Sequence, residues 1–303
     1  MPKIAVLGGT GYLASIIKNQ NIIKKNKYIF FSRKKNSKYY INYDLFKKNL
    51  KILKNFDFIV HLVGPNQNQL LNNKNLIKKK KLITSNICDL CLENNIKLIY
   101  ISSLQIYKNY GKNNLSINSK INTKNLYSKS HYESEKIILK KFLNHKNMFI
   151  IIRIGNVFGF KKYEKLKEIN NNLIHSFCIS ALKKNKIIIK NGFIQRSFVP
   201  SQIFIQTLNY IIKKNFFKNS IVNIPYKNLS LLDVAKIIKK RSQLILNLSI
   251  DILVKKFDYK KIFVVHTNKY FKLNPINKKF YFEIDRILKN IKKMIKKHKS
   301  GSL

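Results

Sequence analysis

A chain of 303 residues that is 45% apolar, with 20 phenylalanines and 16 tyrosines, has the material for one large or two modest cores. Three cysteines exclude a disulfide framework and suit a reducing cytoplasm. No apolar run approaches the ~20 residues of a membrane-spanning helix, and the short apolar start runs straight into glycines, so it does not read as a leader.

The first element is the apolar run from Lys3 to Leu7, of strand length, which meets Gly8-Gly9-Thr10-Gly11. Leu13, Ile16 and Ile17 then fall at i, i+3 and i+4, one face of a helix. A strand, a glycine turn and a helix start make a phosphate site, because the helix dipole and the unbonded N–H groups point at the anion. The spacing is Gly8-x-x-Gly11-x-x-Ala14, with a small residue at the third position for close packing of helix on strand. An ordinary strand-to-helix loop is the plainer alternative. Tyr28 to Ser32 reads as a second strand, followed by Arg33-Lys34-Lys35 and no acid. An arginine there accommodates a 2′-phosphate, pointing to NADP(H) rather than NAD(H), unless Arg33 is one more basic residue in a basic chain.

Asp57 to Gly64 is a third strand with a small-residue turn, and Asn75 to Asn94 an amphipathic helix with Ile83, Ile87, Leu90 and Cys91 on one side. Cys88 and Cys91 form a C-x-x-C that reads as packing, since no second cysteine pair completes a metal site. Lys97 to Ser102 and Asn147 to Arg153 are the fourth and fifth strands, with a helix from about Leu126 to Leu143 between them. This alternation predicts an α/β fold, a Rossmann-like doubly wound parallel sheet covered on both faces. Beyond Gly159 it loosens into a smaller α+β part, with a helix before Lys184, a strand over Lys186 to Lys190, and a helix over Ser230 to Ser242. A basic final helix carries Ile287, Ile291, Met294 and Ile295 at helical spacing, suited to docking on the domain or, less simply, to lying on a membrane. The division expected is a dinucleotide-binding domain over 1–160 and a substrate-binding part over 161–303, with segments returning to the core.

The formal charge of +48 comes from 61 Lys+Arg against 13 Asp+Glu. It invites nucleic acid or an anionic membrane as a partner. Yet lysine, asparagine and isoleucine dominate loops and helices alike, and no Arg-rich block, zinc-finger spacing or aromatic-basic interleaving stands out. Compositional drift explains this better than a specific nucleic-acid site.

The fourth strand ends in Ser102-Ser103, at the strand end where parallel sheets bind ligands. Downstream, Tyr127 and His131 stand four apart and share a helix face. Simple packing on that helix is the alternative to chemistry. In order along the chain come Gly8-x-x-Gly11-x-x-Ala14, Asp44-Leu45, His61-Leu62-Val63, Ser102-Ser103-x-x-Ile106-Tyr107, Tyr127-x-x-Ser130, Arg153-Ile-Gly-Asn156-Val-Phe-Gly159, Gly192-x-x-x-Arg196-Ser197-Phe-Val199 and Val222-Asn223-Ile224. With these, the chain resembles an extended short-chain dehydrogenase/reductase of the nucleotide-sugar epimerase/dehydratase kind.

The resemblance implies a cytoplasmic, homodimeric enzyme that binds NADP(H) or NAD(H) and a nucleotide sugar, with no metal and no membrane span. Cofactor contacts fall on Gly8, Thr10, Gly11, Tyr12, Leu13, Arg33, Asp44, Leu45, Leu62, Val63, Tyr127 and His131. Ser103 holds the substrate oxygen, Tyr127 is the general acid/base, and Asn156 and Arg196 meet the substrate's diphosphate, although Arg196 also fits a surface arginine. The sequence departs from the family at His131, which replaces the lysine that favours the phenolate and holds the nicotinamide ribose. Histidine keeps the hydrogen bond but only a partial charge near pH 7. Tyr132-x-x-x-Lys136 offers the bare spacing again, but Ser130 and Glu135 match only the Tyr127 register, and Tyr132 lies about 140° around the helix. Leu104 and Gln105 stand where related dehydratases carry an Asp-Glu pair, which disfavours dehydration and leaves epimerisation or keto-sugar reduction. A catalytically weak or inactive dinucleotide-binding protein with a regulatory or RNA-associated role is the alternative.

Overall fold

The computed structural model describes residues 1–19, 27–32, 50–108, 110, 114–122, 124–160, 172–256 and 277–300. In chain order, the elements of the first half are β1 (Lys3–Leu7), α1 (Tyr12–Asn19), β2 (Lys27–Phe31), β3 (Phe58–His61), α2 (Gln67–Asn72), α3 (Asn75–Glu93), β4 (Lys97–Ser103), α4 (Leu126–Lys141) and β5 (Phe149–Ile154). There follow β6 (Asn156–Phe158), α5 (Leu173–Lys184), β7 (Lys186–Ile189), β8 (Gln195–Pro200), α6 (Ser201–Lys213), β9 (Ser220–Ile224), β10 (Lys227–Ser230), α7 (Leu231–Leu246), β11 (Asp251–Val254) and α8 (Asn277–Ser300).

Two compact units divide the chain. The first takes Met1–Asn109, Ser116–Ile154 and Ile205–Ile224, and the second Tyr110–Leu115, Gly155–Phe204 and Pro225–Leu303. The first unit is built on a parallel sheet of order β2-β1-β3-β4-β5-β9. Parallel neighbours require crossovers, and the helices supply them. Strands covered on both faces must be apolar throughout. β1 is buried from Ile4 to Leu7, and β5 along its whole length. On α3 the stripe read from sequence is buried as expected at Ile83, Ile87, Leu90 and Cys91, and packs with Tyr100, Ile138, Phe142 and Phe149. Cys88 and Cys91 are free thiols inside this core, where burial pushes their ionisation up and leaves them inert. Among the described residues no cluster of metal-ligating side chains occurs.

Along the chain the first unit's stretch from Ser116 ends at Ile154. A Cβ at Gly155 would lie 2.6 Å from the Ser197 carbonyl oxygen, so the chain is already packed on β8 there. The stretch Ile205–Ile224 returns to the first unit because β9 is the partner of β5.

In the second unit β8 lies between β10, antiparallel, and β6, parallel, while β7 pairs with β11. Phe280, Ile284, Ile287, Leu288 and Ile291 of α8 are buried against this unit's own helices. The basic terminal helix therefore docks its apolar stripe within the protein. Glu283, buried on the same helix, accepts from Ser201 Oγ at 2.7 Å and from Phe160 N–H at 3.1 Å. No helix among the described residues is long and apolar enough to cross a membrane.

Candidate active site

The turns after β1, β3 and β4 share one edge of the sheet. The chain leaves β1 through Gly8 at φ +92°, a backbone region that L side chains rarely adopt. A Cβ at Gly8 would sit 3.1 Å from the Leu62 carbonyl and 3.2 Å from Val63 N, forcing the two turns apart. Gly8 and Gly9 N–H groups donate to Phe31 O at 3.2 and 2.7 Å, and Gly11 N–H donates to Gly8 O at 2.9 Å. The first two bonds tie the turn to the end of β2 and the third closes it ahead of α1, where Ala14 is fully buried. Tyr12 and Leu13 open the helix, whose first N–H groups have no helical acceptor. Thr10 is exposed beside them, with Ser32 Oγ donating to its hydroxyl at 3.5 Å. A cradle that a Cβ would fill, set against an open helix start, suits the pyrophosphate of a dinucleotide. Arg33, Asp44 and Leu45 lie outside the described residues.

At the end of β4, Ser103 caps the short turn Leu104–Ile106, its oxygen accepting from Gln105 N–H at 3.2 Å. The Ser103 hydroxyl also lies beside the Tyr127 phenol and favours its ionised form. Tyr127 stands in the first turn of α4, whose N-cap Asn125 accepts from Ser128 N–H at 3.0 Å. The helix is pinned to β4 and the turn after it at two points, next to Tyr127 and one turn beyond His131. Ser128 Oγ donates to Gln105 O at 2.8 Å, and Ser102 Oγ donates to Glu135 at 2.6 Å. Glu135 is buried and takes a bidentate pair from Arg153, at 3.1 and 2.7 Å. Arg153 also donates to Tyr107 Oη at 2.9 Å, and Tyr107 donates to Asn223 at 2.7 Å. Two donors on two oxygens compensate the desolvation of this ion pair.

Burial raises the Tyr127 phenol above its ordinary range, and the Ser103 hydroxyl opposes that shift. His131 packs edge-on against Tyr127, ring centroids 4.7 Å apart, and its Nδ1 lies 3.0 Å from Tyr100 Oη. The partial charge expected of His131 is absent. Burial first, then the charges of Lys80 and His61, hold it well below the usual histidine range. His61 closes β3. It accepts from Val63 N–H at Nδ1, 3.3 Å away, so its Nε2 proton faces Thr84 Oγ1 at 3.1 Å. Burial, and then Lys80, bring its pKa down to about 3.

Lys80 escaped the sequence reading. It sits one turn before Ile83 and Thr84, on the stripe that faces the core, and is 2% exposed. Extending the stripe back by one turn would have found it. In the rejected register, Lys136 is exposed, pairs with Glu133 at 2.7 Å and caps the Tyr132 ring at 5.3 Å. That pair belongs to the helix surface, whereas Tyr127 meets Ser103.

Asn156 and Arg196 belong to the second unit, where Tyr110 joins them, a residue the sequence gave no reason to choose. The Arg196 guanidinium lies 5.2 Å from the Tyr110 ring centroid and donates to Gln195 O at 2.9 Å. Asn156 donates to Tyr110 Oη at 3.3 Å and to Ser197 O at 3.4 Å. Ser197 N–H donates to the same phenol oxygen at 3.0 Å, while Ser197 Oγ accepts from Tyr226 N–H at 3.1 Å. Burial lowers the Arg196 pKa, with Tyr110 opposing, and among the described residues no carboxylate pairs with it.

Comparison with known proteins agrees with this architecture. ADP-L-glycero-D-manno-heptose-6-epimerase from Brachyspira hyodysenteriae is 25% identical over 259 residues, covering 78% of this chain and 80% of that one. The structure of UDP-N-acetylglucosamine 4-epimerase from Bacillus cereus superposes with a TM-score of 0.77 at 20% identity, over 97% of this chain and all of that one. RMD from Pseudomonas aeruginosa, solved with NADPH, does so with a TM-score of 0.76 at 12% identity, over 97% of this chain and 100% of its own. These structures share the Rossmann-like fold. The model of the NAD dependent epimerase/dehydratase family matches residues 4–224, from β1 through β9, and this chain belongs to that family.

Proposed function

We propose that the protein moves a hydride between NADP(H) or NAD(H) and a carbon of a nucleotide-activated sugar, as an epimerase or a keto-sugar reductase. The observation that carries this reading is the Tyr127 phenol set beside the Ser103 hydroxyl, on the same sheet edge as the glycine cradle. The dinucleotide, held by Gly8, Thr10, Gly11, Tyr12 and Leu13 at its pyrophosphate and by Leu62 and Val63 beyond, supplies the hydride donor and acceptor. A hydride leaving or reaching a carbinol carbon must be matched by a proton at its oxygen, and Tyr127 exchanges that proton. Ser103 orients the oxygen. The His131 Nδ1 is paired with Tyr100 Oη, which leaves Nε2, without a partner among the described residues, to meet the nicotinamide ribose. Arg196, without a carboxylate, suits a diphosphate, with Asn156 beside it. Leu104 is fully buried and Gln105 is not ionisable, so the two do not serve the acid and base steps of water loss.

A second reading has one observation in its favour: with His131 neutral, Tyr127 has no adjoining cation on its own helix. A dinucleotide-binding protein with weak or no turnover fits that. Incubation with NADH or NADPH and a panel of nucleotide-linked sugars and 4-keto sugars separates the two. Isomerised or reduced sugar is expected. No sugar product, together with tight salt-sensitive RNA binding, would establish the second reading.

A further inference from the structure

Lys80 has no task in the chemistry above, yet its side chain is buried at the active-site edge. Its Nζ lies 3.5 Å from Ser130 Oγ, on the helix of Tyr127, and 5.8 Å from the centre of the Tyr100 ring on β4. It also reaches the turn after β3, where a Cβ at the exposed Gly64 would come within 3.3 Å of it. An ammonium carries three donors. Among the described residues its hydrogen-bond acceptor is Ser130 Oγ alone, and at a long distance. The groups facing Lys80 are His61 from β3, Tyr100 from β4, and His131 and Glu135 from α4. Both Glu135 oxygens are engaged by Arg153, so no carboxylate is dedicated to Lys80.

A charge buried with so few partners is expensive, and an apolar side chain of equal length would fill the space at less cost. The donors therefore point to a partner that arrives with a ligand. Resting on the dinucleotide reading of this site, we propose that the Lys80 ammonium completes its hydrogen bonds on the nicotinamide-side half of the bound dinucleotide and supplies positive charge there. His131 on α4 keeps the hydrogen bond, and Lys80 on α3 brings the charge. Gly64 leaves room beside Nζ on the turn that carries Leu62 and Val63.

Burial brings the Lys80 pKa down to about 7, with Glu135 opposing. The ammonium is present below that value and is lost as pH rises through it.

The test is binding, read by the fluorescence of NADH, in the wild type and in Lys80→Met. ADP, which lacks the nicotinamide half, is the control probe. Lys80→Met should bind NADH about tenfold more weakly, the loss of one charge-assisted contact, and ADP unchanged. Wild-type affinity for NADH should fall as pH is raised from about 6 to about 8.5, while the variant stays flat. The double variant Lys80→Met, His131→Lys moves the charge onto α4 and should restore NADH affinity without the pH dependence. The wild-type pH profile decides the matter even if Lys80→Met fails to fold. Equal NADH binding by wild type and variant, or equal weakening of NADH and ADP, would overturn the role of Lys80 and leave the dinucleotide site standing. A wild type that binds NADH, NADPH and ADP not at all would overturn both.

Discussion

His61, Lys80 and His131 show what burial does to a charge when no acid is supplied. His61 ionises at about 3 in the folded protein, against ~6.5 in an unfolded chain. Between these values the unfolded state takes up a proton that the folded state refuses, so stability is complete above pH 6.5 and is lost as pH falls toward 3. The slope from this residue approaches about 1.4 kcal/mol per pH unit. Urea midpoints of the wild type should drop between pH 7 and pH 5, and His61→Leu should reduce that drop; an unchanged drop would mean that His61 is not held neutral. At this scale the sequence showed Gly8, Ser103 and Tyr127, because their chemistry rests on short local motifs. It did not show Lys80. In a chain with 61 Lys+Arg, a lysine reads as solvated surface until the stripe Ile83–Thr84–Ile87 is extended back to it. It also left His131 half charged, since neither its burial nor the neighbouring Lys80 is visible along the chain.

The helix α4 is the element on which the candidate chemistry depends, and two contacts at the end of β4 fix it there. Ser128 holds its first turn to Gln105, and Glu135 holds its middle to Ser102 and Arg153. Removing one partner of a buried ion pair leaves the other charge uncompensated, at a cost of about 3–5 kcal/mol. Glu135→Gln should lower the urea-derived stability by that order, and Glu135→Gln with Arg153→Met should recover much of it. A single variant as stable as the wild type would show that the pair does not anchor the helix. The long helices were legible because periodicity over many residues averages out local noise, as in α3, and β5 because it is apolar at every position but Arg153. β6, β8, β10 and β11 were not. They are three to six residues long, and their pairing depends on close approaches such as Gly155 to Ser197 rather than on alternation along the chain.

For the molecule as a whole, the alternation of strands and helices was enough to give the parallel sheet, because that topology is nearly dictated by its crossovers. The division into units was only partly legible. Which stretch returns to which sheet is decided by the pairing of β5 with β9, a contact between residues about seventy positions apart. The charge of +48 is not needed to explain the fold or the site. The claim on which everything else rests is that Tyr127 exchanges a proton while a hydride moves at a sugar carbon. Its most direct test follows a panel of UDP-, ADP- and GDP-linked sugars by proton NMR, in the presence of NAD(H) or NADP(H), with wild type and Tyr127→Phe. The wild type should convert at least one sugar, and the variant should turn over about 10²–10⁴-fold more slowly, the usual contribution of a general acid/base. Conversion by Tyr127→Phe at the wild-type rate would contradict the account.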